Sequence, residues 1–325
     1  MTAMMTRPGG DVVTAAPEFG NAVVSQRSDV LFDQTIPRAL VHRAAVSEVF
    51  LTDLCTLGDT EFQVGAQWPR GHSFFSLLRP DHHDPMLMAE TIRQAGLLIA
   101  HSEFGVALDW KFIVHRQSFS LGSDGLRLGA RPAHIVLAVT SHDHKRRGKR
   151  IAGGRLEVGC YRDGERIGSG GAVWSAVSPS AYRRLRGERA DVVTEVEPLA
   201  GVSPASVGRD RVRDVALAPG TRDREWVLRV DQSHPVMFDH PVDHVPGMVT
   251  MEAARQAAKL AIGRPHALPV GADFHFEHYL ETDLPTLVSA TESATQRSGV
   301  TSVEVVFGQA GRTAAFGTVD LLVHG

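Results

Sequence analysis

The chain has 325 residues, 43% hydrophobic and 22% charged, so it can build a packed core and is not a disordered chain. Its 34 basic and 37 acidic residues give a net charge of −3, which argues against a general nucleic-acid-binding protein. Two cysteines, Cys55 and Cys160, cannot form a disulfide framework or a four-cysteine zinc site, which fits a cytoplasmic location. No apolar run of about eighteen residues and no apolar leader occurs, so neither a membrane partner nor secretion is expected.

The first half of the chain is predicted to contain two strands, one helix and then further strands. Residues 1 to 36 lack a sustained period and are expected to form a flexible tail. A helix is predicted at 86 to 102, where the sequence is apolar nearly all round, as is typical of a helix buried inside a sheet. Alternation and turn residues predict the strands of this half, at 41 to 51, 62 to 68, 111 to 119, 134 to 141, 155 to 161 and 171 to 177.

The order of elements repeats in the second half. A proline-containing stretch at 178 to 206 is predicted to be a linker. A second apolar helix is predicted at 248 to 262. Strands are predicted on both sides of it, at 213 to 217, 226 to 230, 274 to 279, 286 to 290, 300 to 308 and 314 to 323.

A single offset of 162 residues relates the two halves. It places His72, Met86, Glu90, Arg93, Gln94 and Ala95 on His234, Met248, Glu252, Arg255, Gln256 and Ala257. A chance match between two unrelated α+β domains is the alternative, and the constant spacing across 23 residue steps, from 72 to 95, argues against it. We therefore predict an α+β tandem hotdog: an antiparallel sheet wrapped round a central helix, once in residues 37–177 and again in 207–325.

Both predicted helices carry the motif Glu-x-x-Arg-Gln-Ala, at Glu90 and at Glu252. Residues at i, i+3 and i+4 share one helix face, so Glu, Arg93 or Arg255, and the following Gln form a polar stripe on an apolar cylinder. Burying an unpaired carboxylate is costly, so each Glu either pairs with its arginine or faces a cavity that receives a polar ligand. The first alternative is a purely structural ion pair.

Residues 234–247 bring histidines and aspartates to the start of the second helix. His234, His240 and His244 lie within this segment, and Gly247 and Met248 offer free N–H groups that can stabilise an oxyanion. His240 and His244 are equally well explained as turn or capping residues. A metal site is disfavoured because no second ligand cluster accompanies them. The equivalent stretch of the first half keeps His72 but has Leu78 at the position of His240, so the second half is expected to be the better equipped.

A dense basic turn lies between two predicted strands and contains Lys145, Arg146, Arg147, Lys149 and Arg150. A solvated hairpin is the default interpretation. The alternative is a docking patch for an acidic carrier protein.

The sequence resembles the A-factor biosynthesis (AfsA) family, the γ-butyrolactone synthases of antibiotic-producing bacteria. The matching stretches are 41–53, 84–94, 233–235 and 239–258, the last with its Asp-His-Val-Pro-Gly-Met core. Pro-Gly followed by Glu-Ala-x-x-Gln also resembles the central-helix signature of the 3-hydroxyacyl carrier-protein dehydratases, which are hotdog proteins. A histidine before that Pro-Gly is catalytic there, and His240 would match it only with a two-residue deletion.

The resemblance implies transfer of a β-ketoacyl group from acyl carrier protein to the hydroxyl of dihydroxyacetone phosphate, with no cofactor. Under this hypothesis Glu252 or Glu90 accepts the hydroxyl proton, and Arg255 or Arg93 binds the phosphate. His240 is a further catalytic candidate. The remaining candidates are assigned to substrate binding: Gln94, Gln256, His234, His72, His244, Gly247 and Met248.

Three rival functions remain open at this stage. A double-hotdog hydratase or dehydratase would act on 3-hydroxyacyl thioesters and ignore the triose, and a thioesterase would hydrolyse the donor. A non-catalytic acyl-ligand binding protein would turn nothing over, although retention of both Glu-x-x-Arg-Gln sets argues against it. A homodimer is one possible assembly.

Overall fold

A computed structural model describes residues 30–76, 81–148, 150–297 and 299–323. In this part of the chain the helices are α1, α2 and α3, spanning Met86–Ser102, Pro179–Arg186 and Gly247–Ile262. The strands of the first half are β1 Leu51–Thr56, β2 Glu61–Trp68, β3 Lys111–Leu121, β4 Ala133–His142, β5 Arg146–Arg147, β6 Arg150–Ile151, β7 Gly153–Arg162 and β8 Glu165–Val177. The strands of the second half are β9 Leu217–Pro219, β10 Glu225–Leu228, β11 Leu268–Phe276, β12 Thr286–Arg297, β13 Val300–Gln309 and β14 Arg312–Leu322.

Twelve of the strands form one antiparallel sheet, in the order β1-β2-β4-β7-β8-β3-β11-β14-β13-β12-β10-β9. The first six come from the first half and the last six from the second half, in mirrored order. β3 and β11 join the halves, with Ala272 opposite Phe119, and the Arg116 guanidinium binds the Asp273 carboxylate across this seam at 2.5 and 2.8 Å. The repeat found in the sequence is therefore a repeat of structure about one central strand pair.

The two long helices lie against this sheet, and their composition explains how deeply they are buried. α1 buries large side chains such as Leu87, Met88 and Ile99, while α3 buries Ala253 and Ala257. Side chains of this kind on nearly every face leave a helix stable only where protein surrounds it. The helices predicted at 86–102 and 248–262 are confirmed, α3 beginning one residue earlier. None of the helices among the described residues is long and apolar enough to cross a bilayer.

The strand predicted at 41–51 is wrong. Two short 3-10 helices, Arg38–Val41 and Val46–Glu48, occupy this stretch, and β1 begins only at its end. The apparent alternation arises because side chains here point inward to polar partners: Glu48, for example, lies 3.3 Å from His72. The strand predicted at 213–217 is wrong for the same reason, since a 3-10 helix, Val212–Asp214, precedes β9.

The stretch predicted to be a linker carries α2, which is docked on the second half. Ser178 caps this helix, its Oγ accepting a hydrogen bond from the N–H of Ala181 at 3.3 Å. Arg186 binds both carboxylate oxygens of Glu281, at 2.5 and 2.8 Å. Of the predicted tail, residues 1–29 lie outside the described residues, and 30–36 are held against β1, with Ile36 N–H donating to Leu51 O. The domain boundaries themselves stay predictions.

Candidate active site

Glu90 lies at the centre of the first polar cluster, which we call the Glu90 cluster: Arg43, Glu90, Arg93 and Gln94. Its Oε1 lies 2.7 Å from Nη2 of both Arg43 and Arg93, and its Oε2 accepts from Arg93 Nε at 2.9 Å. Gln94 Nε2 also donates to Oε1, at 2.6 Å. The motif on α1 therefore meets one arginine from outside the helix, and two guanidinium groups share one carboxylate.

The ionisation of Glu90 is set by its surroundings. Full burial acts to raise its pKa, but the charges of Arg43 and Arg93 and the hydrogen bonds of the cluster outweigh it and lower the pKa to about 2. A carboxylate with so low a pKa is a weak proton acceptor at neutral pH. The geometry therefore favours a role for Glu90 in holding Arg93 in place, and its catalytic role stays a prediction.

The second half repeats this arrangement in the Glu252 cluster: Arg209, Glu252, Arg255 and Gln256. Arg209 Nη2 lies 2.9 Å from Glu252 Oε1, Gln256 Nε2 donates to the same oxygen at 2.6 Å, and Arg255 Nη2 binds Oε2. Arg255 Nη1 also binds Asp84 Oδ1 at 2.6 Å. Two carboxylates and two guanidinium groups thus pair with one another within the protein.

Each cluster is completed by the opposite half of the molecule. Arg43 Nη1 donates to the carbonyl oxygen of Val236 at 3.2 Å, and Arg209 Nη1 donates to that of Phe74 at 2.7 Å. Val236 and Phe74 are themselves related by the offset of 162. The segment before each central helix therefore packs against the arginine and glutamate of the other half.

The two histidines related by the offset have matching structural positions. His234 Nδ1 accepts from the N–H groups of Val236 and Met237, at 3.2 and 3.0 Å, so its Nε2 carries the proton and donates to Asp214 at 3.0 Å. His72 does the same with the N–H groups of two residues after it and with Glu48. Both rings are nearly buried, and their expected contact with substrate stays a prediction.

Asp239 and His240 come from the second half but lie beside the Glu90 cluster. Asp239 accepts hydrogen bonds from the N–H groups of Ala44 and Ala45, at 2.5 and 3.0 Å, in the residues directly after Arg43. Burial acts to raise the pKa of Asp239, but these two hydrogen bonds outweigh it and lower the pKa. His240 Nδ1 lies 3.3 Å from Asp239 Oδ2, and the imidazole is 45% exposed. Through Asp239, His240 is thus placed beside the segment that carries Arg43.

The two clusters differ in their access to solvent. The Arg93 side chain is 21% exposed, whereas that of Arg255 is 3% exposed. Asp84 accounts for much of the difference, because it occupies Arg255 from the start of α1, and the offset gives Pro246 at its counterpart. Lys259 is also buried near this cluster. Burial, and then the charges of Arg255 and Arg209, lower the pKa of Lys259 to about 7. Which half is the better equipped for catalysis stays a prediction.

The remaining candidates lie along the start of α3. His244 Nδ1 binds Asp243 at 2.6 Å, and the same carboxylate accepts from Tyr182 of α2 at 2.8 Å, which fixes α2 to this loop. Gly247 and Met248 begin the helix, so their N–H groups have no partner within it. Gln94 and Gln256 use both ends of their amides on backbone and glutamate, which leaves their assignment to substrate binding a prediction. No group of three or more potential metal ligands is assembled among the described residues.

Sequence reasoning missed Arg43, Arg209 and Asp84. The first two were detectable, because an offset of 166 aligns Arg43, Glu48 and Val49 with Arg209, Asp214 and Val215. The four extra residues between the two offsets conceal this match from a search at 162 alone. Asp84 has no counterpart in the repeat, and only the packing of α1 on α3 reveals its role.

The chain is similar to known proteins over most of its length. A family model described as the A-factor biosynthesis hotdog domain matches residues 24–178 and 193–324. The 2-oxo-3-(phosphooxy)propyl 3-oxoalkanoate synthase of Streptomyces virginiae is 46% identical over 272 residues, 83% of this chain and 92% of that protein. A protein of the same name from Streptomyces coelicolor A3(2) is 37% identical over 276 residues, 85% of this chain and 88% of that protein.

Among solved structures, an acyl-ACP thioesterase from Bacteroides thetaiotaomicron is similar to this chain with a TM-score of 0.51 and 11% identity. The match covers 80% of this chain and 97% of that one. At this identity the similarity concerns the fold alone.

Proposed function

We propose that this chain, which belongs to the A-factor biosynthesis hotdog domain family, is a 2-oxo-3-(phosphooxy)propyl 3-oxoalkanoate synthase like its relatives. Membership confirms the family and the hotdog fold predicted from the sequence. The named product is the ester of a 3-oxo acid with the hydroxyl of dihydroxyacetone phosphate. The chain is thus an acyltransferase of γ-butyrolactone synthesis, joining a β-ketoacyl group to a triose phosphate.

The residue that we assign as general base is His240. Its Nδ1 is held by the buried Asp239, which leaves Nε2 of a 45% exposed ring available to substrate. An aspartate that is itself fixed by two backbone N–H groups orients the imidazole. This dyad beside the accessible Arg93 is the observation that carries the assignment.

The reaction then needs one proton relay. His240 Nε2 accepts the hydroxyl proton of the triose while that oxygen attacks the thioester carbonyl carbon. The tetrahedral intermediate collapses with cleavage of the carbon–sulfur bond, and His240 returns the proton to the departing thiolate. Backbone N–H groups such as those of Gly247 and Met248 are proposed to stabilise the oxyanion.

We assign the acyl donor as a β-ketoacyl group on acyl carrier protein. The predicted basic turn supports this choice: Arg146 and Arg147 of β5 are exposed, and the Arg150 guanidinium lies 5.9 Å from the centre of the Trp110 ring. Trp110 directly precedes Lys111, the first residue of β3. An exposed basic hairpin at this end of the first half is suited to an acidic carrier protein. Lys149 lies outside the described residues.

The test is a product assay by mass spectrometry with β-ketoacyl carrier protein, with and without dihydroxyacetone phosphate. We expect the phosphorylated ester only when the triose is present. Release of free β-keto acid at the same rate in both reactions would identify a thioesterase. Dehydration of a 3-hydroxyacyl carrier protein assayed in parallel, with no ester formed from the β-ketoacyl donor, would identify a dehydratase or hydratase. Either outcome would contradict the proposal.

The base is tested separately. His240→Gln is expected to lower kcat by about 10²- to 10⁴-fold, the usual contribution of general acid–base catalysis. The matched control is His266→Gln, an exposed histidine just beyond α3, which should keep the wild-type rate. If both variants turn over like the wild type, His240 is a turn residue and another group accepts the proton.

A further inference from the structure

A pair of histidines lies at the outer side of the Glu90 cluster. His42 Nε2 is 2.9 Å from His101 Nε2, and both are half-buried. The ring of Phe112 packs edge-on against both imidazoles, with centroids 5.5 and 5.2 Å away. The pair is therefore held in place from the 3-10 segment, from the last turn of α1 and from the start of β3.

The hydrogen bonds of this pair decide where its protons lie. His101 Nδ1 is 2.8 Å from the carbonyl oxygen of Val106, which can only accept, so Nδ1 carries the hydrogen. His101 Nε2 is then the acceptor in its neutral form, and His42 Nε2 donates to it. His42 Nδ1 remains free to take up a proton and to donate to an anion without disturbing this pair.

Other basic groups surround His42. Arg93 Nη2 donates to the carbonyl oxygen of Val41, directly before His42, at 3.2 Å, and Lys111 lies near enough for its charge to act on His42. Burial lowers the pKa of His42 to about 4, and the charges of His101, Arg93, His240 and Lys111 act in the same direction. Lys111 is 47% exposed and lies 3.4 Å from Asp191. The site repels a proton when empty, and a bound anion would reverse this.

The second half lacks the pair. The two offsets align His42 with Gly208 and His101 with Gly263. His42 and Gly208 each follow a 3-10 helix and both have left-handed backbone, with φ of 51° and 73°. Glycine adopts this conformation freely, whereas another residue does so at a cost. The chain thus holds a histidine where its own repeat has the cheaper residue, as is typical of a functional position.

We propose that His42, oriented by His101, binds the phosphate of the triose substrate together with Lys111 and Arg93. The inference rests on the proposed function and specifies which residues select this substrate. A phosphomonoester carries close to two negative charges and several acceptor oxygens, which suits a guanidinium, an ammonium and an imidazolium at one site. His240 lies near enough to this site for its charge to act on His42.

The main test is His42→Gly, which installs the residue of the repeat and suits the left-handed backbone. We expect this variant and His101→Gln to raise KM for dihydroxyacetone phosphate about 10- to 100-fold, as for loss of a charged hydrogen bond, with a smaller effect for Lys111→Met. His42→Asn tolerates this backbone and keeps a hydrogen-bond donor, so its KM should be intermediate. His266→Gln again serves as the control.

The phosphodiester of the carrier protein's pantetheine arm is the other phosphate that could occupy the cluster. Each variant is therefore measured with carrier-protein donor and with a small thioester donor that has no phosphate. We expect KM for the triose to rise with both donors. A rise in KM for the carrier-protein donor alone, with KM for the triose unchanged, would overturn the inference.

Binding of dihydroxyacetone phosphate to the full-length protein without any acyl donor, followed by calorimetry, separates this inference from the proposed function. If the wild type binds the triose through His42 but forms no ester, the function fails and the phosphate site stands. If the wild type forms the ester and His42→Gly has the same KM as wild type, the site fails and the function stands.

Discussion

Arg43 and Val236 join the two halves of the molecule at the site: Arg43 binds Glu90 through Nε and Nη2 and donates from Nη1 to the carbonyl oxygen of Val236. The matching contact of Arg209 with Phe74 runs in the opposite direction. In each half, the segment before the central helix therefore contacts the arginine that binds the glutamate of the other half. The site consequently depends on how the two halves are packed together.

The first prediction concerns the buried charges of the Glu252 cluster. Arg209→Met should lower the free energy of unfolding by about 3–5 kcal/mol, because it leaves Glu252 short of one counter-charge in a closed site. Adding Glu252→Gln should recover part of this loss. Chemical denaturation of both variants provides the measurement, with the half-exposed Arg211→Met as control. Equal unfolding midpoints for wild type and Arg209→Met would show that the pair contributes nothing.

The second prediction is a pH dependence of stability that belongs to Glu90. Its pKa is about 2 in the folded protein, against 4.5 ordinarily. The unfolded chain therefore binds a proton first as the pH falls, so the stabilisation is complete above about pH 4.5 and is lost towards pH 2. Glu90→Gln should flatten this part of the stability curve measured by denaturation. An identical acid limb in the variant would contradict the assignment.

The third prediction concerns Lys259, which has Leu97 as its counterpart in the repeat. Its pKa is about 7 when folded, against 10.5 ordinarily, so the folded state loses the proton first and stability rises with pH between these values. Lys259→Met should stabilise the protein at pH 6.5 by about 1–4 kcal/mol, the range for apolar replacement of buried charges.

The gain from Lys259→Met should shrink as the pH rises from about 7 towards 10, since the folded state then buries a neutral lysine and the free-energy cost of removing its proton falls with rising pH. Thermal unfolding across this range measures it, with the exposed Lys145→Met as control. Lower stability of the Lys259 variant at every pH would instead show that the lysine is held by a net favourable pairing with Glu252 and Asp84.

The fourth prediction concerns the basic turn. Replacing Arg146, Arg147 and Arg150 by Ser should lower kcat/KM with carrier-protein donors and spare activity with a small thioester. The wild-type rate with carrier protein should fall with salt, because charges beyond a Debye length of about 8 Å are screened at physiological ionic strength.

A matched control for that triple variant removes three exposed arginines of the second half, Arg222, Arg264 and Arg312, by the same change to Ser. If both triple variants lose the same efficiency and the same salt slope, the turn is an ordinary hairpin. Arg183 and Arg184 on α2 are then the next residues to test. Arg186 is unsuitable, because its side chain is 4% exposed and bound to Glu281.

The sequence contained most of the fold and only part of the site. Strong periodicity and the 162-residue offset were sufficient for both central helices and most strands, since apolar pattern alone determines them. The strand prediction at 41–51 was wrong because the alternation there reflects side chains, such as that of Glu48, that point towards buried partners. The sequence pattern does not show that the loop with His240 packs beside Arg43, which binds Glu90. That contact depends on how the two halves are joined by the pairing of β3 with β11.

Because β3 and β11 join the two halves within one chain, the two halves can differ in sequence and in role. In a symmetric dimer of identical chains every substitution occurs twice, so a histidine gained at position 42 would carry its backbone cost into both sites. Two halves on one continuous chain escape this constraint. The Glu252 cluster can be buried with Asp84 and Lys259, while the Glu90 cluster keeps its access to solvent. Covalent tandem duplication thus permits an asymmetry that a homodimer of single modules could not encode.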